Sequence, residues 1–133
     1  MKKVYSLILV ITLMFCLITS VSGTDTIQPL WDHTASVFAS IDFDGTEGTF
    51  TASVIGDREV TDIYATAYLY YKDSSGNWIE VTPWGAVTNT SSLGMDRNFT
   101  GISGVEYKCD FTAYVYVGTD CEEITYTAYE TCP

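Results

Sequence analysis

From Ile63 to Tyr70 the chain alternates without a break. Ile63, Ala65, Ala67 and Leu69 are apolar, and Tyr64, Thr66, Tyr68 and Tyr70 lie between them. A period of two sends the sets to opposite sides of a pleated strand, whereas a helix would scatter both around its axis. The pattern returns over a longer span. Tyr107, Cys109, Phe111, Ala113, Val115 and Val117 alternate with Lys108, Asp110, Thr112, Tyr114 and Tyr116. Two such segments require a sheet with one buried face, and a sheet of that kind needs a second layer to cover it.

Shorter runs supply further strands. Ala35, Val37, Ala39 and Ile41 mark the first, and Phe50, Ala52 and Val54 the second. The run 63–70 is third. Trp78, Ile79, Val81 and Trp84 mark a fourth, which Pro83 should end or confine to an edge. Thr88 to Gly94 reads as a polar loop, partly overlapping a short fifth strand through Leu93, Met95, Arg97 and Phe99. The run 107–117 is sixth. Ile124, Tyr126 and Ala128, opposite Glu123, Thr125, Thr127 and Tyr129, form the seventh. Turn-forming stretches separate them: 42–48, 56–59, 72–77, 101–104 and 118–121. Seven strands at this spacing predict an all-β antiparallel sandwich or barrel.

The first 23 residues belong to another kind of segment. Lys2 and Lys3 precede an apolar stretch, Val4 to Ile18, and then Thr19, Ser20, Val21, Ser22 and Gly23. A charged start, an apolar run short for a bilayer and a small-residue exit predict a secretory signal helix. Cleavage falls after Gly23 or, one residue earlier, after Ser22; an uncleaved anchor is the alternative. Residues 24–133 then form one domain, opened by a leader over Thr24–Asp32. Without Lys2 and Lys3 it keeps four cations against seventeen carboxylates, a net charge of −13. That balance argues against nucleic acid and anionic membranes as partners. A cationic partner, a metal ion or a neutral glycan stays open, beside plain solubility outside the cell.

Two stretches carry a resemblance. Gly104-Val105-Glu106-Tyr107-Lys108-Cys109 resembles the G-x-Y-x-C opening of strand F in immunoglobulin-like sandwiches, with a tyrosine corner two residues before a cysteine. The partner cysteine of antibody domains is replaced by Ala52 and Val54, so their inter-sheet disulfide is not expected. Trp31, Ala35-Ser36 with the Asp44-Gly45 turn, Thr61–Tyr70, Gly76-Asn77-Trp78 and Gly104–Tyr107 follow one another along the chain. That order is similar to the small, signal-bearing, uncharacterised sandwich proteins of Gram-positive bacteria. The resemblance implies an immunoglobulin-like fold of about seven strands and a secreted location; it implies no activity.

Catalytic chemistry finds few footholds. His33, beside Asp32, is the only histidine and has no G-x-S-x-G or other nucleophile setting near it in sequence. A hydrogen-bonded histidine near the first strand is the simpler reading. Asp42-Phe43-Asp44-Gly45 begins like a calcium loop, but Gly45 comes fourth and Ser53 twelfth, so an Asp-Gly turn explains it better. A weak calcium site using Glu47 is the alternative. No spacing suits zinc, and no cofactor is expected.

Three cysteines follow the signal segment: Cys109, Cys121 and Cys132. If Gly118 pairs with Cys121 across the last turn, Cys109 faces Glu130 and Cys132 lies one diagonal step away. A register shift of two residues sets Cys109 and Cys132 directly opposite. A Cys109–Cys132 bridge is expected, with Cys121 free at the hairpin tip; three thiols, with Cys109 as a small core residue, is the alternative.

The remaining candidate is a surface. Tyr64, Tyr68 and Tyr70 of the third strand and Tyr114 and Tyr116 of the sixth lie on outward faces, which an immunoglobulin-like topology makes neighbours; Thr66, Thr112, Thr125, Thr127 and Tyr129 extend them, and Trp78 and Trp84 either cover part of this face or join the core. Tyrosine offers rigid area with a polar tip, which suits protein or glycan contact. Tyrosine and threonine are also good exposed strand residues. The expected function is a secreted, non-enzymatic binding module for a protein, a glycan or a second copy of the chain. An antimicrobial or toxin-like effector at a cell surface is the alternative, followed by a small hydrolase using a carboxylate pair.

Overall fold

The structure is a computed structural model and describes residues 31–133. The expected signal segment, 1–23, lies outside the described residues. Seven strands run in order: β1 (Thr34–Asp44), β2 (Glu47–Gly56), β3 (Asp62–Lys72), β4 (Trp78–Thr88), β5 (Ser92–Thr100), β6 (Glu106–Val117) and β7 (Asp120–Thr131). There is no helix among the described residues. All strand pairs are antiparallel. They form a three-stranded sheet, β1-β2-β5, and a four-stranded sheet, β4-β3-β6-β7.

The long alternations do what their period requires. Ile63, Ala65, Ala67 and Leu69 of β3 and Tyr107, Cys109, Phe111, Ala113 and Val115 of β6 are buried. From the other sheet Phe50, Ala52, Val54, Leu93 and Met95 complete the core. Small residues make room for large ones. Ala67 stands opposite Phe111, and the Phe50 ring lies 6.2 Å from Phe111 and 6.0 Å from Trp84, stacked on the latter. Fully burying a side chain of this size contributes about 1.5–3 kcal/mol. Trp31, inside the segment read as a leader, also packs against the core.

One end of the sandwich is plugged by aromatic rings. Phe43 and Phe99 meet edge to face at 5.5 Å, and Tyr107 lies 5.6 Å and 5.4 Å from them. A Cβ on Gly48 would overlap both phenylalanines, so only glycine fits there. The Tyr107 hydroxyl reaches back along the chain and accepts a hydrogen bond from the Ile102 amide at 3.0 Å.

Two hairpins share one turn chemistry. Gly45-Thr46 joins the paired residues Asp44 and Glu47, and Gly118-Thr119 joins Val117 and Asp120. Gly45 has φ +60° and Gly118 φ +62°, and neither threonine is left-handed. A glycine first and an ordinary residue second is the two-residue turn that matches strand twist.

Several expectations need correction. Of the two outcomes expected for Pro83, the edge holds and the end does not: β4 runs on to Thr88, and β5 begins at Ser92 inside the expected loop. β4 is an edge strand, where a residue without an N–H need not interrupt the ladder. Tyr126 shares its side of β7, the other edge strand, with the buried Ile124 and Ala128 yet is 45% exposed. The Cys109–Cys132 bridge is not formed. Cys109, Cys121 and Cys132 are free thiols. The turn is centred on Gly118-Thr119, so Cys109 faces Ala128, while Cys132 bonds with Val105 through its amide. Four residues of strand separate the two positions, about 13 Å, roughly twice what a disulfide spans.

Candidate functional site: the outer face of the four-stranded sheet

The register of β4, β3, β6 and β7 lines up the outward side chains in rows. The first is Val87, Tyr64, Tyr114 and Glu123. Below it come Gly85, Thr66, Thr112 and Thr125, then Pro83, Tyr68, Asp110 and Thr127. A bulge at Leu69/Tyr70 shifts β4 by one residue, and the next row is Glu80, Tyr70, Lys108 and Tyr129. Asp62, Tyr116 and Cys121 flank the first row at the far end. Tyr64, Tyr68, Tyr70, Tyr114 and Tyr116 therefore share one face on two adjacent strands, as their alternation anticipates. Tyr64 is 48% exposed and Tyr68 39%, and Tyr129 from the edge strand is 59% exposed. Trp84 turns inward against the core, whereas Trp78 joins the outer face.

The two ends of this face differ chemically. At the Trp78 end, Lys108 Nζ sits 4.9 Å from the Tyr70 ring centre and 5.0 Å from that of Trp78. Lys72 Nζ lies 5.3 Å from the Trp78 ring centre, and Tyr129 packs 6.1 Å from the same indole. Acidic partners accompany the ammonium groups: Glu106 is 3.4 Å from Lys72 and Asp110 3.6 Å from Lys108. Burial, and then the charge of Asp110, push the Tyr70 phenol above its ordinary pKa. It is therefore a neutral hydroxyl at physiological pH. At the other end Tyr64 and Tyr116 meet edge to face at 5.6 Å. The hydrogen bond with Cys121 holds the Tyr116 phenol above its ordinary value. Among the described residues no lysine or arginine lies over either ring.

His33 belongs to a different structure. Its Nε2 donates to Asp120 Oδ2 at 2.7 Å. Glu122 accepts from the amides of Asp32 and His33 and from the Thr34 hydroxyl, at 2.6, 3.2 and 2.7 Å. These bonds tie the start of β1 to the start of β7, across the seam between the sheets. The Asp120 hydrogen bond, with the nearby carboxylates, raises the His33 pKa. The ring partner is a carboxylate, and among the described residues no hydroxyl or thiol is hydrogen-bonded to the His33 ring; the arrangement works as a clasp. The deep thiol is inert: burial pushes Cys109 up to about 12.

Asp42, Asp44, Glu47, Thr49 and Asn98 border a shallow depression on the opposite sheet. Among the described residues no three His, Cys, Asp or Glu side chains converge as metal ligands would. What sequence reasoning missed is Lys72 and the gathering of both lysines around Trp78 at one end of the tyrosine face. The signal was the pairing of β4 with β3, which alternation alone does not supply. No protein-family model matches the chain, and no curated protein matches it.

Proposed function

We propose that the protein is a secreted, non-enzymatic binding module with an immunoglobulin-like sandwich. Its contact surface is the outer face of β4-β3-β6-β7, and its partner is a protein or a glycan. The strand order supports the immunoglobulin-like assignment. β1-β2-β5 and β3-β6-β7 correspond to A-B-E and C-F-G of that fold. The fourth strand pairs with the third instead of lying beside the fifth. The Tyr107 hydroxyl on the Ile102 amide has the form of the tyrosine corner at the start of strand F.

The observation that carries the functional reading is the asymmetry of the two outer faces. Tyr64, Tyr68, Tyr70, Tyr114, Tyr116, Tyr129 and Trp78 line one of them. The other, on β1-β2-β5, presents Ser40, Thr51 and Asp96, then Asp42, Thr49 and Asn98, with Phe38 as its one ring and Ile55 as a further exposed apolar side chain. Strand propensity applies equally to both sheets, so it does not account for the difference. Exposed aromatic area of this extent is a signature of contact with another molecule.

The test is a binding screen of the purified secreted protein against protein and glycan panels, repeated with the Tyr68→Ser/Tyr114→Ser variant. Loss of binding with an unchanged far-ultraviolet spectrum is expected. Full binding by the variant sinks the reading. N-terminal sequencing of the protein recovered from culture medium should begin at Thr24, or at Gly23 if cleavage follows Ser22.

A further inference from the structure

The two ends of the tyrosine face pose the same chemical problem and answer it differently. Around Trp78, rings and carboxylates together hold ammonium groups, and both cations come from the chain itself. Around Tyr64 the ingredients recur. Asp62 stands beside Tyr116, and Glu123 stands beside Tyr114. A shallow depression lined by Asp62, Tyr64, Val87, Thr88 and Asn89 opens between β3 and β4. Among the described residues no lysine or arginine lies over the Tyr64 or Tyr116 ring or pairs with Asp62 or Glu123.

Resting on the binding-module reading, we propose that this end takes a lysine or arginine side chain presented by a basic protein partner. Charge complementarity selects the occupant. The domain after the signal segment carries −13, which steers a cationic surface inward and opposes docking of a second copy. Ring faces attract a cation, and an adjacent carboxylate anchors it. Arginine fits best, because its planar fork stacks on the Tyr64 ring while donating to Asp62. Val87, 64% exposed, offers apolar cover for the methylene stem.

The probe is an acetylated Gly-Arg-Gly-Arg-Gly peptide, compared with its citrulline counterpart, titrated into the secreted protein by calorimetry and nuclear magnetic resonance. The arginine peptide should bind and the citrulline peptide should not, with amide shifts centred on Asp62 and Tyr64. Affinity should fall with added sodium chloride. Asp62→Asn and Tyr64→Leu should each weaken binding about tenfold, while Thr51→Val on the opposite sheet leaves it unchanged. Circular dichroism checks that each variant is folded. Equal binding of the citrulline peptide, or indifference to Asp62→Asn, overturns the proposal. If the arginine peptide fails but a neutral glycan binds and is lost in Tyr68→Ser/Tyr114→Ser, this inference falls and the binding module stands. If no ligand responds to any variant of this face, both fall.

Discussion

The two outer surfaces of the sandwich face the same solvent and rest on the same core, yet they carry different residues. On β1-β2-β5 the outward positions are mostly serine, threonine, aspartate and asparagine, which hydrogen-bond locally: Ser40 with Asp42 at 3.0 Å, Thr49 with Asn98 at 3.2 Å. On β4-β3-β6-β7 they are rings set among Thr66, Thr112, Asp110 and two lysines. The first surface is what an antiparallel sheet needs to stay in water. The second exceeds that need, and the excess is what the proposed binding role rests on.

The largest effect should come from beneath both surfaces. Phe50→Ala removes a ring that touches Phe111 and Trp84 and should cost about 3–5 kcal/mol in urea unfolding. A single transition, seen alike by probes on either sheet, is expected. Separate transitions would mean that the two surfaces stand on different cores. Next comes the functional contrast. Tyr68→Ser/Tyr114→Ser should weaken the partner complex by about a hundredfold if both rings are hot spots, with Thr51→Ala/Ser53→Ala changing nothing measurable.

Smaller effects probe how the sheets are held together. Tyr107→Phe leaves the Ile102 amide without its acceptor and should destabilise by about 1 kcal/mol. The smallest concerns the seam at His33, whose pKa is raised above 6.5 by Asp120. The protonated ring is the favoured form, so its contribution is complete below pH 6.5 and fades as pH rises through the raised value. His33→Gln should flatten the stability profile across that window, read from urea midpoints at several pH values.

How much of this was legible in the residues divides along the same line. β3 and β6 are central strands, so every inward position is covered and their alternation reads directly as burial. At the edges the rule weakens. Tyr126 keeps the inward parity but not the burial, and Pro83 sits within β4 because an edge strand tolerates it. The tyrosine face was legible because parity sends its rings outward and an immunoglobulin-like strand order sets β3 beside β6. Its cation clusters were not, since they depend on a bulge that moves β4 by one residue against β3. The cysteine pairing failed for a related reason. Whether the turn centres on Gly118-Thr119 or on Thr119-Asp120 changes the partner of Cys109 by two residues, and composition does not choose between them.

That turn leaves Cys121 exposed at the tip of the last hairpin, while Cys109 and Cys132 are shut inside. Among the described residues a maleimide dye therefore has one attachment point, and it stands directly across from Tyr116. A fluorophore placed there would look along the aromatic surface from its rim and report on whatever settles on it.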